Sequence, residues 1–153
     1  MKILFVLGIL CALSFPVSGF TEEPKSPSVA DPALAKQLGA DERGMRNYVL
    51  VILKTGPTRV PDGPARDEMF KGHFANMKRL ADEGKLVVAG PFGEKSDWRG
   101  MFIFAVATKE EAEQLVATDP VIKNGEMVAE CHPLYATAAL MMVNDTHKKI
   151  APE

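Results

Sequence analysis

The sequence predicts an α+β domain of the split βαββαβ, ferredoxin-like type, a four-stranded antiparallel sheet with two helices on one face. Three observations predict it. β-branched and aromatic runs alternate with stretches of helical apolar spacing in the order strand, helix, strand, strand, helix, strand. Gly and Pro punctuate the junctions between these stretches. The 153 residues are 46% hydrophobic and 25% charged, an ordinary composition for one domain with extensions.

The first strand is read over residues 48–53 and is closed by Thr55, Gly56 and Pro57. A loop rich in Pro and Gly runs to Pro64. From Ala65 onward, Phe70, Phe74, Met77, Leu80 and Ala81 recur at helical spacing as the expected buried face, and Gly84 stops that helix. Residues 85–89 read as a second strand, broken by Gly90, Pro91 and Gly93. A polar loop through Trp98 and Gly100 leads to a third strand over 101–107. Thr108 caps a second helix, Glu111 completes a capping box, and Ala112, Leu115 and Val116 form the apolar face. Asp119 closes it, because Pro120 disfavours helical geometry in the residue before it. Gly125 ends the next turn, and residues 127–135 form the fourth strand.

The two ends read differently. Residues 1–19 look like an export signal: Lys2, a charge-free apolar run, then small residues up to a preferred cleavage site after Gly19. The apolar run is about half of the roughly 20 residues a spanning helix needs, so a retained anchor is the lesser alternative. A periplasmic or secreted protein with no stable membrane insertion after signal removal is expected. Cleavage takes the formal charge from −2 to −3 with the loss of Lys2, and leaves Cys131 as a lone, buried and inert thiol. Residues 20–44 form a flexible arm in which Asp31 and Pro32 are placed to start one short helix. The domain proper spans 45–136, and 137–153 is a C-terminal tail with an apolar patch at 138–143. A pI near 5.9 without a basic block argues against nucleic acid as a partner.

Residues 48–53 and 101–107 are apolar on both alternating faces. A sheet with helices on one side only should alternate apolar with polar, so the second face needs a cover. A second copy, sheet against sheet, is favoured over the arm or the tail, and a homodimer is expected.

The chain contains three histidines, His73, His132 and His147. His147 reads as solvated in the tail, and His132 as structural near the end of the last strand. His73 lies three residues after Phe70 and four before Met77, on the rim of the buried face. Asp119 opposes the dipole of the helix it ends and needs a partner, unless it caps the next turn with Pro120 at that turn's first position. In a split βαβ fold the two helices lie side by side, which brings His73 and Asp119 within reach. A carboxylate beside an imidazole fixes its tautomer and favours its protonated form, which suits general acid–base work. No nucleophile elbow, P-loop, HExxH or CxxC is present.

The run from His73 through Gly84 to Gly90 and Pro91 resembles the helix–strand signature of YciI-like (YCII-related) proteins. Glu110, Glu111 and Ala112, leading to Asp119, Pro120 and Gly125, are similar to the second signature, and Pro133 marks the closing strand. The resemblance covers residues 48–136 and implies a domain that dimerises into an α+β barrel. It also implies a histidine–aspartate pair in a cleft, proposed as catalytic in the family, which maps onto His73 and Asp119. A few relatives are dehydrochlorinases acting on ring-cleavage intermediates, and muconolactone isomerase shares the dimeric barrel. This chain departs by its export signal and by a longer loop over 55–67, and an exported copy does not fit a cytoplasmic catabolic pathway.

Around the pair, Arg66 is the candidate to neutralise an anionic substrate, and Phe92 and Trp98 are candidates to line an apolar pocket. A surface charge and ordinary packing are the plain alternatives. Two function classes follow. In the first, His73 is general base or acid, with Asp119 orienting it, for elimination or isomerisation of a small organic acid or lactone, and no metal or organic cofactor is required. In the second, the dimer is a non-catalytic small-ligand-binding or structural module. A zinc site would need His132 and Cys131 to join the pair, and no metal is expected.

Overall fold

The computed structural model describes residues 30–151. The expected export signal over 1–19 lies outside the described residues. In chain order the elements are α1 (Pro32–Gln37), β1 (Met45–Thr55), α2 (Pro64–Asp82), β2 (Leu86–Pro91), β3 (Trp98–Phe104), α3 (Lys109–Val116), α4 (Pro120–Lys123), β4 (Met127–Thr137), a 3-10 turn (Ala138–Met142) and α5 (Val143–Ile150). The strands form one sheet in the order β2-β3-β1-β4, with every neighbouring pair antiparallel. Two central strands from opposite halves of the chain, flanked by β2 and β4, make the expected split βαββαβ arrangement.

The main core lies between the sheet and its helices. Val49, Val51, Leu53, Phe102, Phe104 and Cys131 from the strands meet Met69 and Leu80 of α2 and Ala112 and Val116 of α3. These strand positions alternate along β1 and β3, as one face of a pleated sheet must. On α2 the expected Leu80 is buried and Phe70 and Met77 pack against the core, but the centre of the buried face is shifted by one position. Met69, His73 and Leu80 are its buried residues, while Phe74 is 62% exposed. His73 therefore sits inside the buried stripe and not on its rim, because the helix turns its 69–73–80 row onto the sheet.

β3 begins three residues earlier than the spacing implies and ends at Phe104. Its start is drawn out by the 11-residue β1, whose Lys54 pairs with Trp98. Its end is drawn off the sheet by the next helix: Glu111 N–H donates to Thr108 Oγ1 at 3.2 Å, and the Glu111 carboxylate accepts the Ala107 N–H at 3.0 Å.

The second face of the sheet carries Tyr48, Val87 and Ile103. Leu140 and Met141 of the tail pack on them, and Asn144 of α5 donates to the Leu86 carbonyl at 2.8 Å. The tail thus supplies part of the cover expected from a second copy. Leu50, Val88, Met101 and Leu134 on this side are half-buried. At the other end, the Asp31 carboxylate caps α1 by accepting the Ala33 and Leu34 N–H groups, and Arg46 of β1 donates to the Leu38 carbonyl at 2.9 Å. No described helix is long and apolar enough to cross a membrane.

Candidate functional site

α2 and α4 bring His73 and Asp119 together. Asp119 is the N-cap of α4, and its Oδ1 accepts the Val121 N–H at 3.1 Å. Its Oδ2 accepts from His73 Nδ1 at 2.8 Å. The two readings of Asp119 in the sequence, helix cap and imidazole partner, hold at once, one oxygen for each. The helices approach closely enough because residue 72 is glycine: a Cβ there would lie 3.0 Å from Pro120 Cγ.

Both members of the pair are buried, Asp119 completely. A short charge-assisted bond in such surroundings is stronger than one in water. With Nδ1 committed to Asp119, Nε2 is the ring nitrogen left to exchange a proton with a ligand. Three phenylalanines enclose the imidazole. Phe70 meets it edge-on at 6.0 Å between ring centroids, Phe74 is tilted at 5.3 Å, and Phe102 stacks at 6.1 Å.

His73 opens on a cavity of about 230 Å³ between α2 and the sheet. Leu53, Phe70, Phe74, Pro91, Phe102 and Met127 make its walls apolar, and Arg99 is the charged side chain that joins His73 in its lining. A larger groove of about 470 Å³ runs between α2, β2 and α5, with Lys78, Asp82, His147 and Lys148 along it. It does not include the buried pair, so the smaller cavity is the candidate site.

Arg66 does not line this cavity. Its guanidinium donates to Glu126 Oε1 at 2.7 Å and to the Val60 carbonyl at 2.9 Å, and lies 4.8 Å over the Phe70 ring. It braces the wall from behind. Phe92 and Trp98 pack on each other at 5.4 Å, with Trp98 exposed, and neither lines the cavity.

Glu126 and Arg99 are the polar residues that the sequence pattern did not single out. Glu126 is buried at 2% exposure, and its Oε2 accepts the Val60 N–H at 2.8 Å. Burial pushes its carboxyl upward, but the Val60 N–H and the Arg66 guanidinium outweigh that and hold it below the ordinary 4.5. A loop pinned to the turn before β4 assembles this arrangement. Gly56 N–H donates to the Glu126 carbonyl at 2.9 Å and Thr58 N–H to the Gly125 carbonyl at 3.0 Å, an approach so close that a Cβ on Gly56 would collide with Gly125. The one signal for Arg99 in the sequence is a charge within the otherwise apolar run of β3.

His132 is exposed, 3.6 Å from Glu130, and Cys131 is buried in the core, where burial pushes its thiol up. Strand alternation places the two on opposite faces of β4, so they cannot join the pair as metal ligands. Among the described residues no group of three or more His, Cys, Asp or Glu is gathered as a metal site.

A profile of the YCII-related domain matches residues 45–131. The chain belongs to the YCII-related family. The matched span of this YCII-related chain runs from the start of β1 to the middle of β4 and contains both His73 and Asp119. Among solved structures it is similar to 5-chloro-2-hydroxyhydroquinone dehydrochlorinase from Burkholderia phenoliruptrix, in complex with 2,5-dihydroxybenzoquinone. The identity is 24% over 54% of this chain and 90% of that one, with a TM-score of 0.39. No curated protein matches.

Proposed function

We propose that this YCII-related protein is an enzyme in which His73 and Asp119 perform acid–base chemistry on a small organic acid or lactone, by elimination or isomerisation beside a carbonyl. The observation that carries the reading is the 2.8 Å bond that buried Asp119 makes to His73, whose ring lies in the wall of a largely apolar cavity. Asp119 holds the imidazole in the tautomer that leaves Nε2 to take a proton from the carbon next to a carbonyl. It also compensates the positive charge that the ring then acquires. The proton returns from Nε2 to a neighbouring carbon in an isomerisation. In an elimination it is released after the leaving group departs. The steps use the chain's own residues and need no redox partner.

Two further parts of the reading concern assembly and place. A homodimer paired through the second sheet face is supported by the half-buried Leu50, Val88, Met101 and Leu134 there. Export to the periplasm or beyond is supported by the apolar, singly basic run over residues 1–19.

The test is proton exchange in heavy water, followed by NMR over a panel of small unsaturated acids and lactones. The wild type should wash out the proton beside the carbonyl in at least one of them, and His73→Ala should slow that exchange by about 10²–10⁴-fold. Washout that survives His73→Ala unchanged overturns the assignment. A wild type inert across the panel leaves the family domain as a ligand-binding module.

A further inference from the structure

We propose that Arg99 is the anion anchor of the cavity, and that the ligand is a single-ring carboxylate seated with its ring among Phe70, Phe74 and Phe102 and its charge on the Arg99 guanidinium. The proposal rests on the reading above only in taking this cavity as the ligand site.

Three guanidiniums converge on Glu126, and they are not equivalent. Arg66 is bonded to it at 2.7 Å, Arg59 approaches it at 3.6 Å, and Arg99 at 3.8 Å. The last distance is longer than a hydrogen bond, and Glu126 is already engaged by Arg66 and the Val60 N–H. Asp62, at the surface, lies near Arg59 and Arg66. Among the described residues three positive groups therefore face two carboxylates, and Arg99 is the most loosely held, with its one carboxylate contact the 3.8 Å approach to Glu126. It is the one that lines the cavity with His73.

The backbone explains why an arginine of β3 points there. Along β3, Phe102 and Phe104 face the helices, so simple alternation would send Arg99 to the opposite side. The register between β1 and β3 shifts at this point: Leu53 pairs with Gly100 and Lys54 with Trp98, which leaves Arg99 as the extra residue of a bulge. A bulge re-aims the side chain it carries. Here the result is a guanidinium at the wall of an apolar cavity, with about a quarter of its side chain exposed.

The cavity sets the rest of the ligand. At about 230 Å³ it is smaller than the roughly 300–1,000 Å³ of pockets that take drug-sized molecules, so one ring fits where two do not. Its walls offer aromatic faces and few polar groups, which suits a flat, apolar body. The polar side chains of the lining are His73 and Arg99, so a ligand bearing one carboxylate satisfies the arginine and leaves its ring beside the imidazole.

Benzoate and benzamide, matched in shape and differing in charge, are the probes, titrated by calorimetry into the full chain. The wild type should prefer benzoate by about tenfold or more, Arg99→Met should abolish that preference by weakening benzoate far more than benzamide, and Arg99→Lys should restore part of it. A wild type without the preference, or an Arg99→Met variant that keeps it, overturns the proposal. In the wild type, benzoate should also shift the Arg99 Nε–H resonance, a readout that does not depend on a variant folding; no shift overturns the proposal too. His73→Ala separates this from the acid–base reading. Benzoate preference should survive in that variant while proton exchange is lost.

Discussion

Asp119 satisfies two neighbours with two oxygens, and the chemistry of each neighbour can be varied separately. In Asp119→Asn one side-chain oxygen remains, enough to cap α4 but not to accept from His73 as well. The expected outcome is a stability loss of about 1 kcal/mol by urea unfolding. Proton-exchange activity, in contrast, should fall by about 10²-fold or more. Glu126 poses the opposite case, a carboxylate whose role is to hold arginines. Its folded-state carboxyl titrates below the ordinary 4.5, so its stabilisation is present above that value and disappears as pH falls through the lowered one. Glu126→Gln should lower stability at pH 7 by about 1–3 kcal/mol and flatten the loss that sets in as pH falls below the ordinary 4.5. Urea midpoints of both proteins at several pH values read this directly.

Contacts between elements decide how firmly the site is held. Gly72 is a weak helix former in the interior of α2, and alanine there would ordinarily stabilise a helix by up to about 1 kcal/mol. Its Cβ would press on Pro120 Cγ at 3.0 Å, however, and α4 carries Asp119. Gly72→Ala is therefore expected to leave the thermal midpoint nearly unchanged while reducing exchange activity, since the gain in α2 is offset by the displacement of α4. The tail offers a comparable test at the other side of the sheet. Asn144 ties α5 to the Leu86 carbonyl of the edge strand β2, and Asn144→Ala should cost about 1 kcal/mol of tail docking, read as faster amide exchange over 143–150.

At the scale of the whole molecule, the open question posed by the sheet is its second face. The tail buries Tyr48, Val87 and Ile103, while Leu50, Val88, Met101 and Leu134 stay half-buried. Sheet-to-sheet pairing predicts a sedimenting species of about twice the mass of one processed chain, converted to the monomer by Met101→Lys. A wild type that sediments as a monomer would mean that the tail is cover enough.

Order and type of the elements were legible in the sequence because each rests on local chemistry. β-branched runs, the Thr108–Glu111 capping box, the Gly84 stop and Pro120 act through neighbours within four or five residues. His73 and Asp119 were legible as oddities of their own segments, although the element that carries Asp119 to α2 is the short α4 that it caps and not the longer helix before it. Leu80, Phe70 and Met77 turn to the core as their spacing implied, but that Met69 and His73 are buried and Phe74 exposed was not legible, since adjacent rows of one helix face are equivalent until a sheet is present to choose. Nor were the displaced Arg66, the buried Glu126 or the cavity-facing Arg99. Each depends on a contact across tens of residues, the loop at 56–60 against the turn at 125–126 and the bulge where β3 meets β1. The sequence by itself therefore determined which elements form and which two residues could pair. Only the tertiary structure decided which charges face the cavity, because side-chain direction at a bulge and the partner of a buried carboxylate are set by packing between distant segments.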